Sequence, residues 1–173
     1  VDGEGRVVGA RTTGELELRG PGVLSEYLGD RSATDQAVRS DGWLRTGDLA
    51  WKDRLGLVHF AGRTKEVIKC GGYSVFPAEV EASLRNHPEV SDVVVFGSPD
   101  ADRGEVPVAA IVPTGAGFDE DALRSWALER MAAYKAPRVY WEVEREEIPE
   151  GPTRKFLRGD LARKFEIDRT SQD

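Results

Sequence analysis

Three short stretches carry residues whose types and spacing could do chemistry. In "EGPTRKFLRG", Lys155 follows the structure-breaking Gly151 and Pro152 and precedes an apolar helical pattern of Phe156, Leu157 and Leu161. A long cationic arm on such a loop suits the stabilisation of charge developing on transferring phosphoryl oxygens, with Arg154 and Arg158 as further cations. The alternative is a solvated helix end, and cations at a helix N-terminus oppose the helix dipole, so a compensating interaction is expected there. In "DGWLRTGDLA", Asp48 follows Gly47 in what reads as a tight turn. A carboxylate so placed can accept two hydrogen bonds from a vicinal diol such as a ribose, or bond its own backbone. In "GRTKEVIKCGGYSVFPAE", Arg63, Lys65 and Lys69 stand beside the Gly71-Gly72 pair. Cations next to accessible backbone suit a phosphate-bearing ligand, or form a solvated strand face.

Composition narrows the partners. With 24 Lys+Arg against 31 Asp+Glu, the 173-residue chain carries a net charge of -7. A sequence-independent grip on nucleic acid or anionic membrane is therefore not expected, and any phosphate must be bound locally. The single cysteine, Cys70, rules out an internal disulfide framework and multi-cysteine zinc patterns, and His59 and His87 lack metal-ligand spacing. That cysteine usage fits a reducing cytoplasm. No apolar run is long enough to span a bilayer, and the start "VDGEGRVVGA" has neither a methionine nor the pattern of a signal peptide. A phosphate loop, a nucleophile elbow and a C-x-x-C pair are all missing, and the glycines of "GEGRVVG" have the wrong spacing for a dinucleotide site.

The elements that must position these residues change character near Gly62. Residues 1 to about 60 read as twisted β-structure with one weak helical stretch, built from runs such as "ELELRG" and "GLVHFAG". From about 64 onward the pattern is a compact α+β unit. "EVIKCGGYSVF" predicts a hairpin, and "PAEVEASLRNHP" a helix with Pro77 at its first position, Glu79 and Glu81 in its first turn, and Val80 and Leu84 on one face. "VSDVVVFG" and "VPVAAIVP" predict strands buried on both faces, joined by the polar turn "SPDADRGE". "DEDALRSWALERM" predicts a helix capped by Asp119 that presents Leu123, Trp126, Ala127 and Met131. "RVYWEVE" predicts a half-buried strand through Val139, Trp141 and Val143, and a last helix runs from about Lys155 to Phe165.

In this order and spacing, the segments resemble the C-terminal part of the adenylate-forming superfamily, which includes acyl-CoA synthetases, luciferase and peptide-synthetase adenylation domains. "GELELRGPGVLSEYLGD" and "DGWLRTGDLA" resemble the end of the family's large N-terminal domain. "GRTKEVIKCGGYSVFPAEVEASLRNHPEVSDVVVFGSPD" resembles its hinge and the start of its small mobile domain, and "YKAPRVYWEVEREEIPEGPTRKFLR" its closing segment. The resemblance implies three parts: residues 1–62 as a β-rich end of the N-terminal domain, 63–66 as the hinge, and 67–173 as a mobile domain. That domain is expected to hold a β-hairpin plus a mainly antiparallel three-stranded sheet flanked by helices.

The implied function is that of an ATP-dependent, AMP-forming acid-thiol ligase acting on a fatty or other hydrophobic carboxylate through an acyl-adenylate. Asp48 is then expected to hold the ribose hydroxyls of ATP, Arg63 to contact ribose or phosphate, and Lys65 to act as the hinge. Lys155 is expected to enter the site for the first half-reaction only. Lys69, Gly71 and Gly72 are expected on the face used in the second, where coenzyme A or the phosphopantetheine of a carrier protein supplies the thiol. The Mg2+ ligand is expected upstream, in an N-terminal domain that this chain lacks, so the chain alone is expected to be inactive, and its uncovered surface could drive a homodimer. In place of the family's usual glycine before that lysine stands Arg154. A non-catalytic nucleotide-binding or interaction module is the competing reading.

Overall fold

The valine-rich stretch at the centre of the chain forms the longest strand pair, and the rest of its domain is built on it. The computed structural model describes residues 1–152 and 156–170. The chain divides into two compact units, Val1–Lys65 and Glu66–Asp173.

In the second unit, β6 (Val90–Asp100) and β7 (Gly104–Pro113) run antiparallel, in register from Asp92 opposite Val112 to Asp100 opposite Gly104, with a shift between Val90 and Asp92. The polar turn is thus shorter than expected, because both strands extend into it. As the unbroken apolar runs predict, side chains are buried on both faces. Val93, Val95 and Ile111 enter one cluster with Val80 and Leu84 of α2 (Pro77–Leu84) and Leu123 and Ala127 of α3 (Glu120–Arg130). Val94, Phe96, Val108 and Ala110 enter the other with Leu161 and Phe165 of α4 (Arg158–Thr170). Helices therefore cover both faces of the sheet. The predicted cap is in place, with the Asp119 carboxylate accepting from the Asp121 and Ala122 amides at 2.9 and 3.1 Å.

The sheet is larger than expected. The hairpin of β4 (Ile68–Cys70) and β5 (Tyr73–Val75) joins it through Cys70 opposite Gly104, which gives five strands in the order β5-β4-β7-β6 with β8 (Val139–Glu142) also on β7. The β7–β8 pairing is parallel. Within β8, Tyr140 is the buried residue and Val139 is exposed, so the expected inward set is corrected at that position. Val139 lies at the strand's start, and the alternation of Tyr140 and Trp141 serves two covered faces rather than one. α4 begins at Arg158 rather than at Lys155, because Phe156 is held in a backbone bridge with Glu150.

The first unit is a three-stranded antiparallel sheet of β1 (Gly14–Leu18), β2 (Leu44–Lys52) and β3 (Val58–Arg63), in that order. The single short helix α1 (Arg31–Ala37) is capped by Asp30. Among the described residues, no helix is long and apolar enough to cross a membrane.

Candidate functional site

Asp48 lies in a strand, not in the tight turn its sequence suggests. Between the pairs Glu15–Leu49 and Glu17–Arg45, β2 runs two residues longer than β1, and its register with β3 shifts again between Leu49 and Ala50. The bulge is built locally: Gly47 takes φ 71, a conformation glycine adopts without strain. Side chains satisfy the amides that the ladder leaves over. The Thr46 hydroxyl donates to the Leu16 carbonyl at 2.7 Å and accepts the Asp48 N–H at 3.0 Å, while the Gly47 N–H donates to Glu15 Oε1 at 3.2 Å. A short-range reading sees a Gly-Asp turn because bulge and turn use the same residue chemistry.

The bulge aims Asp48 across the ladder at Arg63, its register partner on β3. Arg63 Nε donates to Asp48 Oδ1 at 3.2 Å, and both side chains are about a third exposed, at 37% and 32%. The structure thus brings together two of the expected nucleotide-binding residues, a carboxylate acceptor on the central strand and a guanidinium donor at the end of the neighbouring one, both accessible. A vicinal diol and a phosphate are matched by that combination of acceptor and donor.

Lys69, Gly71 and Gly72 also meet in one feature. Gly71 and Gly72 take φ 56 and 84, the left-handed pair of a two-residue hairpin turn, which places Lys69 opposite Ser74 and Cys70 opposite Tyr73. Lys69 Nζ donates to the Ser74 hydroxyl at 2.9 Å, and its backbone N–H donates to Glu105 Oε2 at 2.8 Å. The Gly71 N–H is committed to the Arg103 carbonyl at 2.9 Å. Beside the turn, Tyr73 stacks on Tyr134 with ring centroids 4.4 Å apart. Lys65 is exposed in a 3-10 turn, Thr64–Glu66, and is the last residue of the first unit. Arg154 and Lys155 lie outside the described residues.

The base of the segment that carries Lys155 is held by backbone hydrogen bonds. Glu150 and Phe156 form an antiparallel bridge, and the Leu157 N–H donates to the Pro149 carbonyl at 2.8 Å. Arg145 braces this base through an ion pair with Glu150 and by lying 5.1 Å over the Phe156 ring. Its guanidinium is raised above the usual arginine range, chiefly by the hydrogen bond to Glu150.

Sequence reasoning placed Glu81 in the first turn of α2 beside Glu79 and did not find its burial; the first turn holds Glu79, and Glu81 follows it on the buried face. That side chain is 5% exposed and receives Arg158 Nη2 at 2.8 Å. The signal was present in the spacing: positions 77, 80, 81 and 84 form one helical stripe, and all four are buried. Among the described residues, no group of three or more His, Cys, Asp or Glu is placed to hold a metal ion.

Comparison with known proteins decides the family. Residues 79–155 match the profile of the AMP-binding enzyme C-terminal domain. The segment belongs to that domain family. Over 91% of this chain, the sequence is 40% identical to "Peroxisomal OPC-8:0-CoA ligase 1" of Arabidopsis thaliana, and over 93% it is 42% identical to "4-coumarate--CoA ligase-like 9" of Oryza sativa subsp. japonica. The chain spans 29% of the length of each of these relatives. Among solved structures, it resembles ATP-bound MatB from Rhodopseudomonas palustris with a TM-score of 0.88 at 30% identity, covering 95% of this chain and 32% of that one. It also resembles o-succinylbenzoate CoA synthetase (MenE) from Bacillus subtilis in complex with its acyl-adenylate intermediate, with a TM-score of 0.83 at 34% identity over 91% of this chain and 32% of that one. Most of the chain, including residues outside the matched segment, thus has counterparts in solved structures, one bound to ATP and another to an acyl-adenylate.

Proposed function

We propose that this chain is the C-terminal part of an ATP-dependent, AMP-forming carboxylate–CoA ligase. The observation that carries the reading is the cross-strand Asp48–Arg63 pair, at 3.2 Å, in a chain 40% identical to a CoA ligase over 91% of its length. In the first half-reaction, a substrate carboxylate oxygen attacks the α-phosphorus of ATP, and the bond to the pyrophosphate oxygen breaks to give acyl-AMP and pyrophosphate. In the second, a thiol attacks the acyl carbonyl carbon and AMP leaves. Asp48 accepts hydrogen bonds from the ribose hydroxyls in both halves, and Arg63 orients the carboxylate and reaches the ribose or phosphate.

Lys155 serves the first half alone, holding the substrate carboxylate and the α-phosphate as negative charge accumulates. Lys65 is the hinge about which the AMP-binding C-terminal domain turns between the halves. Its position as the last residue of the first compact unit supports that role. Lys69 and the Gly71-Gly72 turn then face the thiol of coenzyme A, where the narrow glycine turn leaves room for its arm. Mg2+ would be held by residues outside this chain, where it would neutralise the phosphates of ATP. The acid is of the hydrophobic class, aliphatic or aromatic.

The test uses the full-length gene product that carries this chain, with long-chain fatty acids, 4-coumarate and o-succinylbenzoate as candidate acids. Lys155→Ala is expected to lower carboxylate-dependent ATP–pyrophosphate exchange by about a hundredfold or more while sparing thioester formation from supplied acyl-AMP and CoA. Asp48→Ala is expected to weaken both. Undiminished exchange in Lys155→Ala would remove the lysine from the mechanism, and a wild type that binds ATP but is inactive in both assays would identify a non-catalytic nucleotide-binding module.

A second reading changes only the acceptor. The amide bond synthetase McbA from Marinactinospora thermotolerans matches with a TM-score of 0.87 at 34% identity over 95% of this chain and 33% of that one, which favours an amine as attacking group. Product analysis with CoA, a phosphopantetheinylated carrier protein and a simple amine offered in competition separates thioester from amide formation.

A further inference from the structure

Arg158 is the first residue of α4, where a cation meets the positive end of the helix dipole. The compensation is local and extensive. Its Nε donates to the Val95 carbonyl of β6 at 3.1 Å, its Nη1 to Glu66 Oε2 at 2.9 Å, and its Nη2 to Glu81 Oε1 of α2 at 2.8 Å. One planar guanidinium so joins four segments of the chain, a geometry that a point-charged lysine cannot reproduce. The same Glu81 Oε1 accepts the Val95 N–H at 2.9 Å, and Glu81 Oε2 lies 3.5 Å from Arg85. The network is therefore a fixed post, with its central carboxylate buried.

Its position in the sequence gives it a mechanical meaning. Glu66 is the residue immediately after Lys65 and the first of the second unit. Arg158 follows the segment 151–155 by three residues, and the Glu150–Phe156 bridge closes the base of that segment. The two ends of the segment are thus tied to each other, and the outgoing end is tied through Arg158 to Val95 of the sheet and to Glu66.

We propose that Arg158 is a positioning residue for adenylation, and that its bonds to Glu66 and Glu81 lock the base of the Lys155-bearing segment to the first residue beyond the hinge. Turning about Lys65 then moves Glu66 and the base of that segment together. Without the lock, part of the rotation is lost in local flexing between Glu66 and α4. The inference rests on the reading of Lys155 and Lys65 given above.

Glu66→Gln is the discriminating variant, because it removes the charge next to the hinge and leaves the buried Arg158–Glu81 pair to hold the fold. In the full-length enzyme, it is expected to lower kcat for ATP–pyrophosphate exchange by about tenfold, with KM for ATP and for the acid changed less than about twofold. Thioester formation from supplied acyl-AMP and the thermal unfolding midpoint are expected to stay at wild-type values. Arg158→Lys is expected to lower exchange further, again without parallel loss of the thiol step. Equal loss of both half-reactions in Glu66→Gln, or undiminished exchange, would overturn the positioning role. Exchange surviving in Lys155→Ala would instead overturn the reading of Lys155 on which the role depends.

Discussion

The two units differ most in what they bury. Among the described residues of Val1–Lys65, the only buried apolar side chain is Ala50, whereas Glu66–Asp173 encloses two clusters on the two faces of one sheet. The first unit instead exposes large apolar groups, including Leu55 at 88%, Phe60 at 64%, Leu57 at 61% and Val58 at 57%. A three-stranded sheet with one short helix has too little material to cover both of its faces, while helices on both sides of β6 and β7 supply a complete core. The contrast follows from the number of helices: the second unit lays α2 and α3 on one face of its sheet and α4 on the other, whereas the first unit has α1 alone. One unit is a domain by its own packing, and the other reads as one layer of something larger.

The sharpest way to break the comparison is to separate the units. Residues 66–173 made alone are expected to unfold in a single cooperative thermal transition followed by far-ultraviolet circular dichroism. Residues 1–65 made alone are expected to show none, since fewer than about 70 residues without a substantial core rarely hold a fold. A cooperative transition in the short piece would mean that its sheet is stabilised by something other than apolar burial.

Point substitutions sharpen the same contrast at smaller scale. Leu84→Ala removes a fully buried side chain that packs between α2 and the sheet, and is expected to cost about 2–5 kcal/mol by urea unfolding of the 173-residue chain. Phe60→Ala removes a larger side chain that is 64% exposed, and is expected to change stability by less than about 0.5 kcal/mol. Side-chain size thus predicts the reverse of the expected order, and the measured order tests whether burial is the controlling quantity.

How much was legible in the sequence divides along similar lines. The Val-rich strands, the Gly71-Gly72 hairpin, Pro77 at the start of α2 and the Asp119 cap were all readable, because each is set by neighbours within a few residues. The bulge that carries Asp48 was not, since it depends on a mismatch in length between β2 and β1 that only the paired sheet defines. The burial of Glu81 was not readable for a related reason. A glutamate is exposed by default, and its burial follows from a guanidinium 77 positions away in the chain. The parallel pairing of β8 and its inward Tyr140 likewise depend on where the chain returns after α3, which local pattern does not specify. For the candidate site, residue types and order led to the resemblance, whereas the cross-strand pairing of Asp48 with Arg63 and the Arg158 network came only with the coordinates.

Tyr140 supplies the finest test of the contrast, because it asks how completely the second core excludes water. Its hydroxyl is buried with no hydrogen-bond partner among the described residues, and burial pushes its ionisation up from 10.0 to about 12, against a smaller opposing pull from Arg124. The folded state therefore keeps a proton that the unfolded chain gives up. The stability due to this group is fully present below pH 10 and falls as pH rises from 10 toward about 12. Of the four tyrosines, one is expected to titrate last in a tyrosinate absorbance titration of the folded chain, and Tyr140→Phe is expected to remove that last step. The same substitution deletes an unpartnered buried hydroxyl while keeping the ring under Arg124, 5.4 Å from its centroid. It is expected to leave stability at neutral pH unchanged or raise it by up to about 1 kcal/mol, and to flatten its alkaline decline. A loss of stability at neutral pH would instead mean that the hydroxyl is hydrogen-bonded in solution and that the second unit's core admits water at this point.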